Sequence, residues 1–426
     1  MAAHLTRALR HRNYRLFFGG QTVSLVGTWI TRIATSWLVY RLTHSVFLLG
    51  IVGFFGQIPT LLLAPFAGVL VDRWNRHRIL VVTQVLSMLQ SVALAVLTFS
   101  GTITVVEILA LQMVQGVINA FDTPARQAFV VEMVTDRADL PNAIALNSSM
   151  VNASRIIGPS LGGIIIAAAG EGWCFALDAV SYLAVIASLM AMRLGESPAR
   201  TAETRLLEEL RTGLRYVVGF PPVRDSLLLI ALVGTMGQPY TVLMPAIAAN
   251  VLHGGAHTLG YLMTASGFGA LAGAFYLASR GSVLGLGRVM VVATGAFGAA
   301  LVAFSFSRML WLSLLILPVV GGGMMVEMAS TNTVLQTIVE DDMRGRVMSF
   351  YTMAFLGTAP LGSLLAGFLA DHVGPMDTVR LGGAACVLAA GIFSLRLRSL
   401  RAHVRPIYIE RGILAAAEIE GGSKSL

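Results

Sequence analysis

The chain has 426 residues, 56% of them hydrophobic and only 12% charged, where soluble domains carry about 25% charge. That balance, with a mean hydropathy of +0.75, excludes a soluble enzyme and reads as a polytopic membrane protein. The net charge of +8 is spread over short loops without an aromatic-interleaved basic face, which excludes nucleic acid as a partner.

A bilayer core takes about 20 apolar residues per helix. Twelve such runs fall at 15–40, 47–71, 79–99, 104–123, 144–169, 173–193, 223–250, 258–279, 288–306, 309–331, 347–370 and 378–397. The first is too long for a signal-peptide core and has no small-residue cleavage site after it, so it is expected to stay as the first span. Cys174 and Cys386 lie in or beside spans and read as small buried residues, not a disulfide. The longest gap, 194–222, is polar, carries Ser197-Pro198 and Pro221-Pro222, and separates two sets of six. The expected division is a first bundle at 1–196, a cytoplasmic middle loop at 197–222, a second bundle at 223–397 and a cytoplasmic tail at 398–426. With both termini in the cytoplasm, 25 of the 30 basic residues fall inside and three, Arg41, Arg308 and Arg380, outside.

The turn between spans 2 and 3 reads Gly-Val-Leu-Val-Asp-Arg-Trp-Asn-Arg-His-Arg from Gly68 to Arg78. Gly68 is expected to let two helices approach closely, and Asp72 to mark where water begins. Arg73, Arg76 and Arg78 supply the cations of an inside loop. Asn75 tolerates a left-handed turn. Six spans plus six is the pattern of two parallel repeats. Span 5 carries Gly158-Pro159 and Gly162-Gly163, and span 11 carries Ala359-Pro360 and Gly362.

The turn resembles the loop between helices 2 and 3 of the major facilitator superfamily, G-x-x-x-D-R-x-G-R-R. It matches at Gly68, Asp72, Arg73 and Arg76, with Asn75 in place of the second glycine and His77 splitting the final basic pair. Residues 119–163 read N-A-F-D-T-P-A-R-Q-A-F-V, L-P-N-A-I-A-L-N-S and S-R-I-I-G-P-S-L-G-G. They are similar to the branch that includes enterobactin exporters and macrolide-efflux-type permeases. The resemblance implies an all-α membrane fold of 12 transmembrane helices in two six-helix bundles, with helices 1, 4, 7 and 10 lining a cavity. It implies a conformational latch of Gly68, Asp72, Arg73, Arg76, Asp122 and Arg126. Gly158, Pro159, Gly162 and Gly163 resemble the antiporter motif of helix 5, with Ser154 in place of its upstream glycine. They are expected to pack on helix 8, where Gly267, Gly269 and Gly273 offer small surfaces. The superfamily's basic residue on helix 4 falls at Gln112, so its proton relay does not carry over there, and Arg155 is one replacement.

Charges inside a bilayer are costly and mark function. Arg32 and Glu107 are expected to form a cavity pair, with Glu107 a proton or cation site; the alternative places Glu107 at the solvated interface. Glu327, after Gly321-Gly322-Gly323, is a second proton candidate, or else an inner-end charge reaching the headgroups. Arg155 sits mid-span, and Asp178 on peripheral helix 6 reads as a structural hydrogen-bonding group. Gln21, Gln57, Asn119, Gln238 and Asn332 are further polar candidates for the cavity.

No His spacing suggests a metal site, no G-x-x-x-x-G-K-S/T loop holds a nucleotide, and no nucleophile–His–acid set converges. The reading is therefore a transporter, not an enzyme, without a cofactor and driven by the proton gradient. It is expected as a monomer in a bacterial cytoplasmic membrane, among membrane lipids. Its expected activity is proton-coupled export of a small amphipathic, drug- or siderophore-like compound. A lipid or lysophospholipid facilitator, or a membrane sensor that transports nothing, are the alternatives.

Overall fold

The computed structural model describes residues 7–134, 136–193 and 206–414. Every regular element among them is helical. A lipid core offers no partner to backbone N–H and C=O groups, so each span must satisfy its own.

Twelve long helices follow one another: α1 Arg12–Thr43, α2 Val46–Arg73, α3 Arg76–Phe99, α4 Val105–Met133, α5 Leu140–Ala169, α6 Glu171–Met190, α7 Pro221–Val251, α8 Ala256–Ala278, α9 Leu286–Phe306, α10 Leu310–Ile338, α11 Asp341–Val373 and α12 Pro375–Glu410. Eleven are long and apolar enough to cross a membrane. The other, α1, has 32 residues but buries Gln21, Ser24, Thr31 and Thr35 and carries Arg32. Boundaries follow local chemistry. Ser45 caps α2 and Asn75 caps α3, accepting from the Leu48 and Arg78 amides. Proline opens α5, α7 and α12, where a missing N–H costs nothing. Gly170 and Gly374, both at φ +90°, turn the chain between α5 and α6 and between α11 and α12. The same device in the same place of each half is a trace of the repeat.

Two expected boundaries move. A helix, Leu206–Gly219, occupies much of the middle loop. Its Gly213 lies so near α11 that a Cβ would fall 2.9 Å from the Phe350 ring. The last helix continues past 397 to Glu410, because Leu400 and Tyr408 are buried against the cluster that contains Met343 and Val347. The remainder of the loop and the tail beyond 414 lie outside the described residues.

Two compact units divide the packing. The first comprises 1–203, 241–264 and 363–372; the second comprises 204–240, 265–362 and 373–426. So α7, α8 and α11 each pass from one unit to the other. In α7 the passage follows a π-helical segment, Val233–Gly237, and Pro239. In α11 it follows a break at Gly357 and Pro360. Helices bend where proline or a π-turn interrupts the hydrogen-bond ladder.

The first unit is pinned by buried acids. Asp178 accepts from Thr31 at 2.8 Å and Ser91 at 2.9 Å, joining α1, α3 and α6. Asp122 accepts from Thr83 at 2.9 Å and Gln84 at 2.8 Å, joining α3 and α4. Glu171 holds Arg41 through two bonds of 2.7 and 3.1 Å. The N-terminal segment is tied down by Asp139, which accepts from His11 at 3.1 Å and Arg10 at 3.2 Å. The His11 hydrogen bond, helped by the Arg10 charge, holds the Asp139 carboxyl below the usual carboxylate range. Because the folded value is the lower one, this tie is fully present above the ordinary carboxylate pKa and is lost as pH falls through the lowered value. Limited proteolysis of the N-terminal segment is expected to accelerate in that acid range. Asp139→Asn should be cleaved faster at neutral pH and lose the acid-dependent change; unchanged cleavage would overturn the assignment.

Candidate functional site

The turn from Gly68 to Arg78 shows how the expected latch is built. Asn75 has φ −68° and ψ 109°, so it is extended and not left-handed. Its side chain caps α3, a role that glycine cannot fill. Gly68 meets nothing within 4 Å of where a Cβ would stand, so it does not serve a close approach here. Arg73 is exposed. Arg76 donates to Glu132 at 2.6 Å, bridging the start of α3 to the end of α4. Asp122 is buried and pairs with Arg126 one turn on. The Asp72 side chain lies outside the described residues. Of the six residues, Arg76 joins Glu132 in a bridge that the sequence reading missed, and Asp122 and Arg126 pair on the side facing α3.

The expected Arg32–Glu107 pair does not form. Glu107 is at the third position of α4 and accepts from the Thr104 amide at 2.7 Å and from its hydroxyl. This is a capping box. Local geometry satisfies the carboxylate at the helix start. Gln112 lies further along α4 against Gly56 of α2. Arg32 meets Arg155 instead. Their guanidinium carbons stand 5.1 and 5.8 Å from the centroid of one indole, Trp29. Arg32 is exposed and Arg155 half-buried.

Glu327 is buried in α10. One carboxylate oxygen accepts from Thr331 at 3.0 Å, and the other has no hydrogen-bond partner among the described residues. The Ser330 and Thr294 hydroxyls are also buried without partners. Glu327 is thus not a charge reaching the headgroups.

The glycines of α5 divide between two neighbours. Gly158 and Gly162 press on α1; a Cβ at Gly162 would stand 3.4 Å from Ile30. Gly163 faces α8, where a Cβ would fall 2.8 Å from the Ala256 carbonyl and 3.1 Å from Gly260 Cα. The α8 partner is therefore Gly260. Gly269 and Gly273, expected in that role, pack on Pro318 and Gly322 of α10 instead. A second seam joins α2 to α11: a Cβ on Gly50 would fall 2.6 Å from the Ser363 carbonyl and 2.8 Å from Gly367. Both seams lie within the first unit. Thr264 adds a bond to the Ile156 carbonyl at 3.2 Å, and Asn250 donates to Tyr40. Small residues four apart, Ala256-x-x-x-Gly260 and Ser363-x-x-x-Gly367, were the available signal for these seams.

The family model described as transmembrane secretion effector matches residues 5–406. The chain belongs to this family. The relationship implied by its motifs, that of a major facilitator transporter, is borne out along the chain. This family member is 27% identical to the staphyloferrin A transporter of Staphylococcus aureus, over 91% of this chain and 97% of that one. It is 28% identical to the multidrug efflux pump Tap of Mycolicibacterium fortuitum, over 88% and 93% respectively. Among solved structures it resembles a bacterial homologue of the human lysosomal transporter Spinster, in an inward-facing, occupied conformation. There the TM-score is 0.71 at 15% identity, covering 92% of this chain and 98% of that one. The last likeness establishes the fold. The chain is a multi-span membrane transporter of small molecules and not an enzyme.

Proposed function

We propose that this transporter exports a small amphipathic organic compound, drug- or siderophore-like, from the cytoplasm in exchange for protons, with both termini in the cytoplasm. The observation that carries the reading is the pair of glycine seams, α5 with α8 and α2 with α11. Each brings a helix of the first half against one of the second with backbones in contact. Such seams hold by shape more than by strong bonds, so they can part and re-form. The irregular backbone at Val233–Gly237 and Gly357 stands just before α7 and α11 enter the first unit, where a hinge would lie. The relatives' names, a siderophore transporter and a drug efflux pump, support the substrate range.

Glu327 is the carboxylate suited to carry the coupled proton. A buried carboxylate without a cation is costly in its charged form, and gaining a proton removes that cost. The test is accumulation of drugs and siderophores in cells, with and without a protonophore. Wild type should lower accumulation of at least one compound, and the protonophore should abolish the difference. Glu327→Gln should reduce proton-driven export to the level of cells lacking the protein while leaving substrate exchange across vesicles. Full proton-driven export by Glu327→Gln would remove the carboxylate from the mechanism. Absence of export for every compound would favour lipid movement.

A further inference from the structure

Arg32, Arg155 and the indole of Trp29 form an arrangement whose two charges neither the helix packing nor the proton site uses. Arg32 stands on α1 and Arg155 on α5, the helices that meet through Gly158 and Trp29. Both guanidinium groups lean on the same indole, at 5.1 and 5.8 Å. Among the described residues neither makes an ion pair or a hydrogen bond.

Depth makes this unusual. Arg32 lies 11 residues before the end of α1 and Arg155 14 before the end of α5. At 1.5 Å per residue those are about 17 and 21 Å from the helix ends, well inside two helices of a membrane transporter. Charged side chains at such depth face the bundle interior or a water-filled space and pair with something. One indole face offers a cation a modest attraction, and two like charges share it here. Among the described residues no anion pairs with either charge. Arginine also presents a planar fork of donors that fits a carboxylate or phosphate two bonds at a time, and an indole beside it adds a flat apolar wall.

We infer that Arg32, Arg155 and Trp29 form the recognition site for an anionic group of the transported molecule, so that the substrate is an amphipathic anion bearing a carboxylate or similar oxyanion next to an apolar or aromatic part. This rests on the export reading and narrows its substrate class. A cationic drug is disfavoured at the site, because it would add a third positive charge.

The test is binding to the full-length protein in nanodiscs, read by fluorescence anisotropy of two aromatic dyes, anionic carboxyfluorescein and cationic ethidium. Wild type should bind carboxyfluorescein in preference. Arg32→Gln and Arg155→Gln should each weaken that binding by roughly ten- to a hundredfold, the loss of one charge-assisted contact. The double variant Arg32→Lys with Arg155→Lys, which keeps both charges, should retain the preference. Arg155→Glu should shift it toward ethidium, a gain that a misfolded protein cannot produce. Preference of the wild type for ethidium, binding of neither dye, or undiminished carboxyfluorescein binding by both Gln variants would overturn the inference. Export is scored separately in cells. Ethidium exported equally by wild type and both Gln variants would leave the export reading standing and remove the anion site. Carboxyfluorescein bound in nanodiscs but never exported would do the reverse.

Discussion

Gly163→Val is expected to stop transport without unfolding the protein. The atoms a Cβ would meet are the Ala256 carbonyl at 2.8 Å and the Cα atoms of Gly260 and His257, both at 3.1 Å. All belong to backbone, so no side-chain rotation relieves the contact. The helices must separate, and the seam between α5 and α8 cannot close. Gly260→Val should act alike, because its Cβ would fall 2.7 Å from the Pro159 carbonyl. Since small residues let membrane helices approach through backbone contact, the loss should appear in the conformational cycle and not in the yield of folded protein. Gly391→Ala is the control; nothing lies within 4 Å of its Cβ position. Substrate flux into vesicles, compared with elution as a monodisperse species in detergent, separates the two effects. Flux near wild type for both seam variants would mean that closure at this seam is not part of transport.

Asp178→Ala is expected to give the largest loss of stability. The carboxylate is buried and is the shared acceptor for Thr31 of α1 and Ser91 of α3. Truncation leaves two buried hydroxyls without that acceptor and opens a void between three helices. Together these should cost about 2–4 kcal/mol. Asp178→Asn keeps the shape and one acceptor oxygen, so it should cost less. Thermal unfolding in detergent checks the order Asp178, then Asn, then Ala. An Ala variant as stable as the parent would show that α1, α3 and α6 are held by apolar packing alone.

How far the site was legible in the sequence depends on the residue. Arg32 and Arg155 stood out because a charge in an apolar run is costly wherever it lies. Their meeting on Trp29 did not, because it depends on the crossing of α1 and α5. Glu107 stood out for the same reason, and of its two readings the cavity pair fails: two residues inside the start of α4, its carboxylate finds a partner in Thr104. Glu327 was recognisable as an intramembrane acid, while its unpartnered oxygen became visible only when α10 was packed. Glycine runs marked α5 and α8 as contact helices. Which glycine touched which neighbour was not readable, since a helix presents small residues on several faces and the sequence does not say which face is turned to whom.

What the sequence alone determined is therefore the class of protein: a bilayer demands long apolar helices whatever they pack against. The transporter family also followed, because its motifs are contiguous in the chain. Tertiary structure decided the pairings: Gly163 with Gly260, Gly50 with Gly367, Arg76 with Glu132, and Arg32 with Arg155 across Trp29. Each joins residues far apart in the chain, and helix rotation and crossing angle select among many small or charged candidates at short range. Local periodicity carries no information about either.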